Sequence, residues 1–393
     1  MNIGLFIDTY YPQINGVITS SNILKQELIK LGHNVIIVTV KNPDVQGNEE
    51  GVIRIPSIPS PFIPNQRLGL IYSQKVMNKI RSLNLDIIHT QTEFSIGIFG
   101  RIVAKRLNIP VIHTYHTMYE DYMHYITDTK MKKYAQKIVK KASYYYCIKC
   151  DSVIAPSQKT KEALISYGLD KNIEVIPTGI NIERFRRGKY SELELDELKQ
   201  NLGIKTDSPV ILFIGRVAKE KSIDVIIKKM PEILKKIPGA VFLIVGDGPA
   251  RKALQHLSIQ LGIEDSIIFA GERPWEDIGK YYQLGDVFVS ASTTETQGIT
   301  FVEAMAAEVP IVAKYDKNLD DMLKNNVNGL IFYNNEELLE KIMQLLNNKD
   351  YTNRLLKKAA KDAEKISAEN FAQNVLALYR KFVYKDSKKL LYG

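Results

Sequence analysis

PVILFIG, residues 209–215, is the segment from which the domain organisation of the chain can be predicted. An apolar, β-branched run that ends in glycine is typical of a buried strand in a parallel sheet. It follows a polar, charged segment, residues 184–207, in which no strand pattern is visible. A second series of strands and helices therefore begins here, and the chain is predicted to form two α/β units in tandem.

The same alternation of short apolar runs and amphipathic helical segments fills both halves of the chain. Predicted strands of the first half are 3–8, 34–40, 86–90, 110–115, 151–156 and 173–177, and those of the second are 209–215, 240–246, 266–271, 286–291 and 310–315. Gly32 is placed to end the helix that lies between the first two strands. This order predicts two mostly parallel, doubly wound sheets, with a ligand in the cleft where their carboxyl ends face each other.

The length of 393 residues also favours two domains, because a single hydrophobic core rarely grows that large. We place an N-terminal domain at residues 1–185, a C-terminal domain at 186–370 and a final helix at 371–393 that returns to the N-terminal domain. No apolar run approaches the ~18 residues needed to span a bilayer. The first residues, MNIGLFIDTYYP, indicate a strand rather than a signal peptide, so the cytoplasm is the expected location.

Charge is distributed unequally between the two halves. Residues 1–188 contain 24 Lys and Arg against 15 Asp and Glu, whereas residues 189–393 contain 29 of each kind. A basic surface confined to one half suggests nucleic acid, an anionic membrane or an acidic substrate as partner. No helix-turn-helix, RNP or zinc-finger pattern supports nucleic acid. Cys147 and Cys150 form CIKC, which is a redox pair, half a zinc site or, as we favour in the absence of further ligands, a structural feature.

Two segments of the second half combine charge with strand ends. Arg216 and Lys221 follow the strand 209–215, where two cations suit a phosphorylated ligand or belong to a solvated loop. ETQGITFVE, residues 295–303, carries two carboxylates across a loop-to-helix junction, with Gly298 allowing a close turn and Glu303 expected in the first helical turn. Thr300 and Glu303 also fit a capping box, which would need no ligand but leaves Glu295 unexplained.

Taken together, these segments resemble glycosyltransferase family 4, retaining enzymes of the GT-B fold that use nucleotide sugars. Glu295 and Glu303 match the E-x7-E signature of the family, and Gly215, Arg216 and Lys221 match its G-R-x-x-x-x-K segment. Further matches are the glycine turn at Gly246, the Gly16 loop in YYPQINGVITS and the segment PTGINIERF at 177–185. The resemblance covers nearly the whole chain.

The resemblance implies a role for each matching residue. Arg216 and Lys221 would hold the donor diphosphate, Glu303 the ribose hydroxyls, and Glu295 the transferred sugar. Amides of the segment Gln297, Gly298, Ile299 and Thr300, together with the Gly246 turn and Gly16 of the other domain, would complete the phosphate site. Fixed cations and oriented amides would stabilise the charge of the departing nucleoside diphosphate. No D-x-D carboxylate pair follows a strand, so no catalytic metal ion and no cofactor are expected.

The segment HTYHTMYEDYMHY, residues 113–125, is predicted to face the acceptor. His116 matches the active-site histidine of the family, whereas His113 lies in a strand and favours core packing; a metal site that also uses His124 is the alternative. The longer pattern resembles a narrower group, bacterial diacylglycerol α-glucosyltransferases, which use UDP-glucose. Glu93 and Asp121 are set aside as nucleophiles.

A basic helical segment supports a lipid acceptor independently. In TKMKKYAQKIVKKASYYY, lysines repeat on one helical side and no acidic residue occurs between 129 and 150. The lysines of this stripe are Lys130, Lys133, Lys137, Lys140 and Lys141. A solvated face is the plain interpretation, but each surface cation adds about 1 kcal/mol near an anionic leaflet. The apolar segment 59–72 is either a second membrane contact or a buried loop.

The sequence therefore predicts a peripheral enzyme of the inner membrane face that moves a hexose, with retention, from a UDP-sugar to diacylglycerol. Transfer to a wall polymer, protein or small polyol, and a non-catalytic nucleotide-sugar-binding scaffold, are the alternatives.

Overall fold

The computed structural model describes residues 1–13, 15–47, 49–60, 67–70, 74–116, 129–293, 295 and 298–392. It divides into two compact units, Met1–Gly179 with Ala368–Gly393, and Ile180–Ser367. Each unit is built on a parallel sheet with helices on both faces, as the alternation of strands and helices predicts.

The first unit contains a seven-stranded sheet in the order β3-β2-β1-β6-β7-β8-β9, and β4 pairs with β5 in a separate antiparallel ribbon. Its strands are β1 (Asn2–Phe6), β2 (Asn34–Val40), β3 (Val52–Ile55), β4 (Ser57–Pro59), β5 (Arg67–Gly69), β6 (Ile87–Thr90), β7 (Val111–Thr114), β8 (Ser152–Ala155) and β9 (Ile173–Val175). Its helices before the second unit are α1 (Gly16–Lys30), α2 (Gln74–Arg81), α3 (Ser95–Leu107), α4 (Thr129–Cys147) and α5 (Gln158–Ser166).

The second unit contains a six-stranded sheet in the order β12-β11-β10-β13-β14-β15. Its strands are β10 (Val210–Ile214), β11 (Val241–Val245), β12 (Ile267–Gly271), β13 (Val287–Ser290), β14 (Ile311–Lys314) and β15 (Leu330–Phe332). The remaining helices are α6 (Glu192–Asn201), α7 (Ile223–Lys236), α8 (Arg251–Gln260), α9 (Ile278–Leu284), α10 (Ile299–Ala306), α11 (Glu337–Asn347), α12 (Lys349–Lys365) and α13 (Ala368–Tyr392), of which α13 belongs to the first unit.

Both sheets are buried on both faces, which explains their continuous apolar runs. In β10, Ile211 and Phe213 pack into one hydrophobic cluster while Leu212 packs into the opposite one. In β6, Ile87 and Ile88 likewise face opposite clusters. Side chains alternate across a strand, so only an apolar residue at every position satisfies a sheet covered on both sides.

The structure moves the predicted domain boundaries by a few residues. The second unit begins at Ile180 rather than at 186, because Ile180 and Phe185 are buried in its core. The segment 184–207 is not a bare connection, since it contains α6, which Ser191 and Glu194 begin with a capping box. The returning helix α13 begins at Ala368 rather than at 371.

Helix α13 packs against the sheet of the first unit. Phe371, Val375 and Tyr379 are buried in the same cluster as residues of β1 and α1. The Tyr379 hydroxyl lies 2.6 Å from Nδ1 of His89, whose Nε2 is 2.7 Å from the Thr114 hydroxyl. Burial lowers the pKa of His89 well below its usual value, so a neutral imidazole links the final helix to the sheet.

Candidate functional site

The carboxyl edge of the second sheet brings together charged residues from two neighbouring strands. Lys221 follows β10, and Glu295 follows β13, which pairs directly with β10. The Lys221 ammonium donates to Oε1 of Glu295 at 2.6 Å, and the two side chains are 22% and 12% exposed. This partly buried ion pair therefore lies at the edge where open α/β sheets bind ligands.

Arg216 lies on the same edge but in a more open setting. Its side chain is 61% exposed, and its guanidinium forms an ion pair with Glu220, one turn further along the chain. An exposed pair of this kind contributes little to stability and exchanges readily with an anionic ligand. The Arg216 charge is thus accessible at the carboxyl end of β10.

The glycine turn after β11 allows two loops to touch. Gly246 has a φ of 131°, and a Cβ at this position would lie 2.0 Å from the carbonyl oxygen of Gly215. Only glycine fits such an approach, because a methyl group would overlap the neighbouring backbone. The turn therefore lies directly against the loop that leads to Arg216.

The loop before α10 is held by a residue that the sequence analysis did not identify. The Glu295 amide donates to Oδ2 of Asp316 at 3.1 Å, and Asp316 is 8% exposed. Gly298, with a φ of 63°, begins α10, in which Ile299 and Thr300 are the first residues. Gln297 lies outside the described residues.

Glu303 is buried rather than part of a helix cap. Its side chain is 3% exposed, and the Tyr282 hydroxyl donates to its Oε2 at 2.7 Å. Burial raises the pKa of Glu303 to about 7, although the bond from Tyr282 opposes the shift. The capping-box alternative for Thr300 and Glu303 is wrong, because Gly298 occupies the cap position and Glu303 lies beyond the first turn of α10.

Tyr282 connects the two carboxylates of this site. Its phenol bonds to Glu303, and the charge of Glu295 also raises the pKa of Tyr282, after burial and Glu303 itself. Glu295 and Glu303 therefore both lie near Tyr282. Their different surroundings, an ammonium for Glu295 and a buried phenol for Glu303, suit them to different parts of a ligand.

The carboxyl edge of the first sheet presents His116, directly after β7. Its Nε2 lies 2.8 Å from Oε1 of Gln91, which follows the adjacent strand β6. Burial lowers the pKa of His116 to about 4, with Glu93 opposing the shift. The imidazole is neutral near pH 7, and the buried Nε2 of Gln91 has no hydrogen-bond partner in the described part of the chain.

The other histidines of this region have separate surroundings. His113 is fully buried, with Nδ1 3.0 Å from the Thr90 hydroxyl and Nε2 3.2 Å from Oε1 of Glu93, as core packing predicts. His124 lies outside the described residues. Within the described ranges, no group of three or more His, Cys, Asp or Glu side chains is arranged to hold a metal ion.

Comparisons with known proteins agree with the residue patterns. Residues 14–184 match the model of Glycosyltransferase Family 4, and residues 195–362 match that of Glycosyl transferases group 1. The chain is 36% identical over 396 residues to the alpha-monoglucosyldiacylglycerol synthase of Acholeplasma laidlawii, covering 99% of each protein. The chain belongs to glycosyltransferase family 4.

A second curated relative and a solved structure extend the comparison. The alpha-monoglucosyldiacylglycerol synthase of Streptococcus pneumoniae is 37% identical, with 96% of this chain and 85% of that protein covered. Anabaena HepE, solved in complex with UDP, superimposes with a TM-score of 0.75 at 19% identity, covering 97% of this chain and 100% of HepE. The family resemblance and the GT-B fold are thereby confirmed, and the chain is a glycosyltransferase.

Gly16 of this glycosyltransferase begins α1. The Asn15 side chain caps the helix by accepting from the Ile18 amide at 3.0 Å. No described atom lies within 4 Å of the place where a Cβ of Gly16 would stand. The start of α1 is thus open on this side at the carboxyl end of β1.

The predicted membrane stripe lies on α4 and is described in part. Lys137, Lys140 and Lys141 are exposed, whereas the side chains of Lys130 and Lys133 lie outside the description, as does most of the segment 59–72. No helix among the described residues combines the length and apolar character that crossing a bilayer requires.

Cys147 and Cys150 at the end of α4 are buried, unpaired thiols. Burial raises the pKa of both, to about 12 for Cys150, which makes them poor nucleophiles at neutral pH. The structural interpretation of the CIKC pair agrees with these surroundings.

The sequence analysis did not identify three residues of the site region. Asp316 and Gln91 each follow a strand, so the rule that strand ends meet at one edge would have found them. Tyr282 lies in α9, 21 residues before Glu303, and no local pattern signals their contact.

Proposed function

We propose that this glycosyltransferase moves a glucosyl residue from UDP-glucose to diacylglycerol with retention of configuration, giving an α-monoglucosyl-diacylglycerol. The observation that carries the proposal is the near full-length identity to two curated enzymes named for this product. The fold neighbour HepE, also solved in complex with UDP-glucose, supports a UDP-sugar as donor.

The second unit holds the donor in this proposal. Arg216 and Lys221 bind the diphosphate, together with the Gly246 turn and the amides of Gln297, Gly298, Ile299 and Thr300. As the bond to the sugar breaks, negative charge grows on the leaving UDP, and fixed cations stabilise it without reorganisation. Lys221 then exchanges part of its interaction with Glu295 for the phosphate.

The two carboxylates have separate roles in the donor site. Glu303 accepts hydrogen bonds from the ribose hydroxyls, and Tyr282 orients its carboxylate through the 2.7 Å bond. Glu295, oriented by Lys221 and by the bond from its amide to Asp316, binds hydroxyls of the transferred glucose. Two cations supply the charge stabilisation, so we propose that the transfer requires no metal ion and no cofactor.

The first unit presents the acceptor. His116 is neutral at physiological pH because its pKa is about 4. Its Nε2–H donates to Oε1 of Gln91, so its Nδ1 is left to accept one hydrogen bond next to the reacting centre. Gln91 sets its orientation through the 2.8 Å contact. The exposed lysines of α4 hold the enzyme reversibly on an anionic inner leaflet, which is where a diacylglycerol acceptor is found.

The test is transfer by purified protein. UDP release is measured with UDP-glucose or UDP-galactose, with and without dioleoylglycerol in anionic vesicles, and the lipid product is analysed for anomeric configuration. We expect an α-glucolipid and lipid-dependent UDP release that withstands a chelator. Release that is indifferent to lipid would favour a non-lipid acceptor, and UDP-glucose binding without turnover would favour a scaffold. Loss of turnover with the chelator would overturn the metal-free scheme.

A further inference from the structure

A cavity of about 430 Å³ opens between α3 and α4 in the first unit. Its volume falls in the range of about 300–1,000 Å³ that is typical of small-molecule sites. The walls are mainly apolar, with Phe94 and Ile98 on one side and Val139, Ala142 and Tyr145 on the other. This composition suits a hydrocarbon chain better than a sugar or a nucleotide.

Part of this apolar lining is exposed to water. Phe94 is 37% exposed and Tyr145 is 53% exposed, which is unusual for aromatic side chains at the mouth of one cavity. An apolar ligand in the cavity would remove this surface from water, which is favourable by about 25 cal/mol for each Å². Binding of an apolar ligand in this cavity is therefore energetically favourable.

One end of the cavity reaches the predicted acceptor residues. Glu93 lines the cavity and also contacts Nε2 of His113 at 3.2 Å. The same carboxylate lies close enough to His116 to oppose the lowering of its pKa. A molecule that fills the cavity therefore extends toward the edge of the sheet where His116 and Gln91 stand.

The rim of the cavity is basic. Lys149 and Arg101 line it, and Arg101 lies 4.1 Å above the Tyr146 ring and donates to the Tyr146 carbonyl at 2.9 Å. Exposed Lys140 and Lys141 lie on α4, which contains no acidic residue. A basic rim around an apolar cavity complements a lipid taken from an anionic surface.

We propose that this cavity holds one acyl chain of the diacylglycerol acceptor and directs the free glycerol hydroxyl past Glu93 toward His116. This inference rests on the proposed function and adds to it a site that selects acceptors by chain length. The glycerol end is uncharged, so Glu93 and Gln91 interact with it through hydrogen bonds, while the apolar walls supply most of the affinity.

The experiment fills the cavity with a larger side chain and uses the whole chain. Ala142→Trp places an indole in the cavity, and Ile138→Trp is the matched control, because Ile138 is 53% exposed on the same helix and does not line the cavity. We compare kcat/KM for dioleoylglycerol and for dibutyrylglycerol, both in neutral detergent micelles with UDP-glucose.

The preference for the long-chain acceptor should fall by about tenfold in Ala142→Trp, since about two methylene groups lose their site. It should change by less than about twofold in Ile138→Trp, and transfer to dibutyrylglycerol should persist in both variants. An unchanged preference in Ala142→Trp would overturn the inference. A wild-type enzyme that transfers glucose to neither acceptor would instead overturn the proposed function.

Photolabelling of the wild-type chain covers the case in which Ala142→Trp does not fold. Diacylglycerol with a diazirine at the end of one acyl chain is irradiated with the protein, and the labelled peptides are sequenced. We expect label in residues 94–101 and 139–149. Label confined to other segments, including 117–128, would show that the cavity does not hold the chain.

Discussion

At the scale of single residues, Glu303 combines full burial with an ionisable group. Its raised pKa, about 7, means that the native state binds a proton more tightly than the unfolded chain does. The free energy of unfolding therefore decreases as the pH rises from about 4.5 through about 7. Above pH 7 the carboxylate is ionised, accepts the hydrogen bond from Tyr282 and can bind the ligand.

Glu303→Gln should remove this pH dependence. Without a ligand, the variant should be more stable than the wild type near pH 8 by on the order of 2 kcal/mol, and similar to it near pH 5, because a neutral amide avoids the cost of a buried charge. Urea unfolding at the two pH values measures the difference, with the exposed Glu272→Gln as control. A variant that is less stable near pH 8 would contradict the assignment.

The Lys221–Glu295 pair is the second feature at this scale. Glu295→Gln should lower kcat by about 10²-fold, because the glucose loses a charged acceptor in the transition state. The free energy of unfolding should change by less than about 2 kcal/mol, since the pair is partly exposed.

Steady-state kinetics and thermal unfolding measure both effects of Glu295→Gln. Glu232→Gln is the matched control, because Glu232 pairs with Lys229 on the surface of α7 at 2.8 Å and lies away from the site. Near-normal turnover in Glu295→Gln would remove Glu295 from the mechanism.

At the scale of elements, the contact between two strand-to-helix loops depends on Gly246. Gly246→Ala should lower the free energy of unfolding by on the order of 3 kcal/mol, because the methyl group would meet the Gly215 carbonyl in a strained backbone. Gly239→Ala is the control, since its φ is also positive but no described atom lies within 4 Å.

We expect Gly239→Ala to lower the free energy of unfolding by only about 1 kcal/mol, because the positive φ is the only unfavourable factor there. UDP binding by titration calorimetry gives the second readout, in which Gly246→Ala weakens binding and Gly239→Ala does not. Equal effects of the two substitutions would show that the close approach of the loops is unimportant.

Helix α4 is an element whose role depends on its charge. The triple change Lys137→Gln, Lys140→Gln and Lys141→Gln should weaken partition onto anionic vesicles by about 10²-fold, since each cation contributes about 1 kcal/mol. Partition onto neutral vesicles should not change. Vesicle sedimentation at low and high salt measures both.

The matched control for α4 removes the same charge from the second unit. Lys235, Lys236 and Lys252 are exposed there, and their joint replacement by Gln should leave partition within about threefold of the wild type. Equal losses in the two triple variants would mean that net charge, rather than α4, attracts the membrane.

At the scale of the whole molecule, the first unit is completed by the last segment of the chain. Val375 is fully buried in α13, among residues of β1 and α1. Val375→Asp should destabilise the first unit by on the order of 3–5 kcal/mol, because a buried carboxylate there has no partner.

Hydrogen exchange resolves the effect of Val375→Asp by unit. Protection should fall in β1, β2 and β6 and remain in β10 to β14, since the two units have separate cores. Asn374→Asp is the control, because Asn374 directly precedes Val375 in α13 and is exposed. Equal loss of protection in both units would indicate that they unfold together.

Much of this architecture was predictable from local patterns. The strands β1, β2 and β6 to β14 coincide with predicted apolar runs, and Gly32 has the positive φ that ends α1. The short strands β3, β4, β5 and β15 were missed, because three or four residues give too little pattern to separate a strand from a loop.

The two doubly wound sheets and the residue types at their strand ends could be read from local sequence, because they follow from side-chain periodicities of a few residues. Which strand ends are neighbours depends instead on how the chain packs. Tertiary packing placed β13 beside β10, so that Lys221 reaches Glu295 across 74 residues, and buried Glu303 against Tyr282. Strand order and burial depend on packing between distant segments, and no local pattern carries that information.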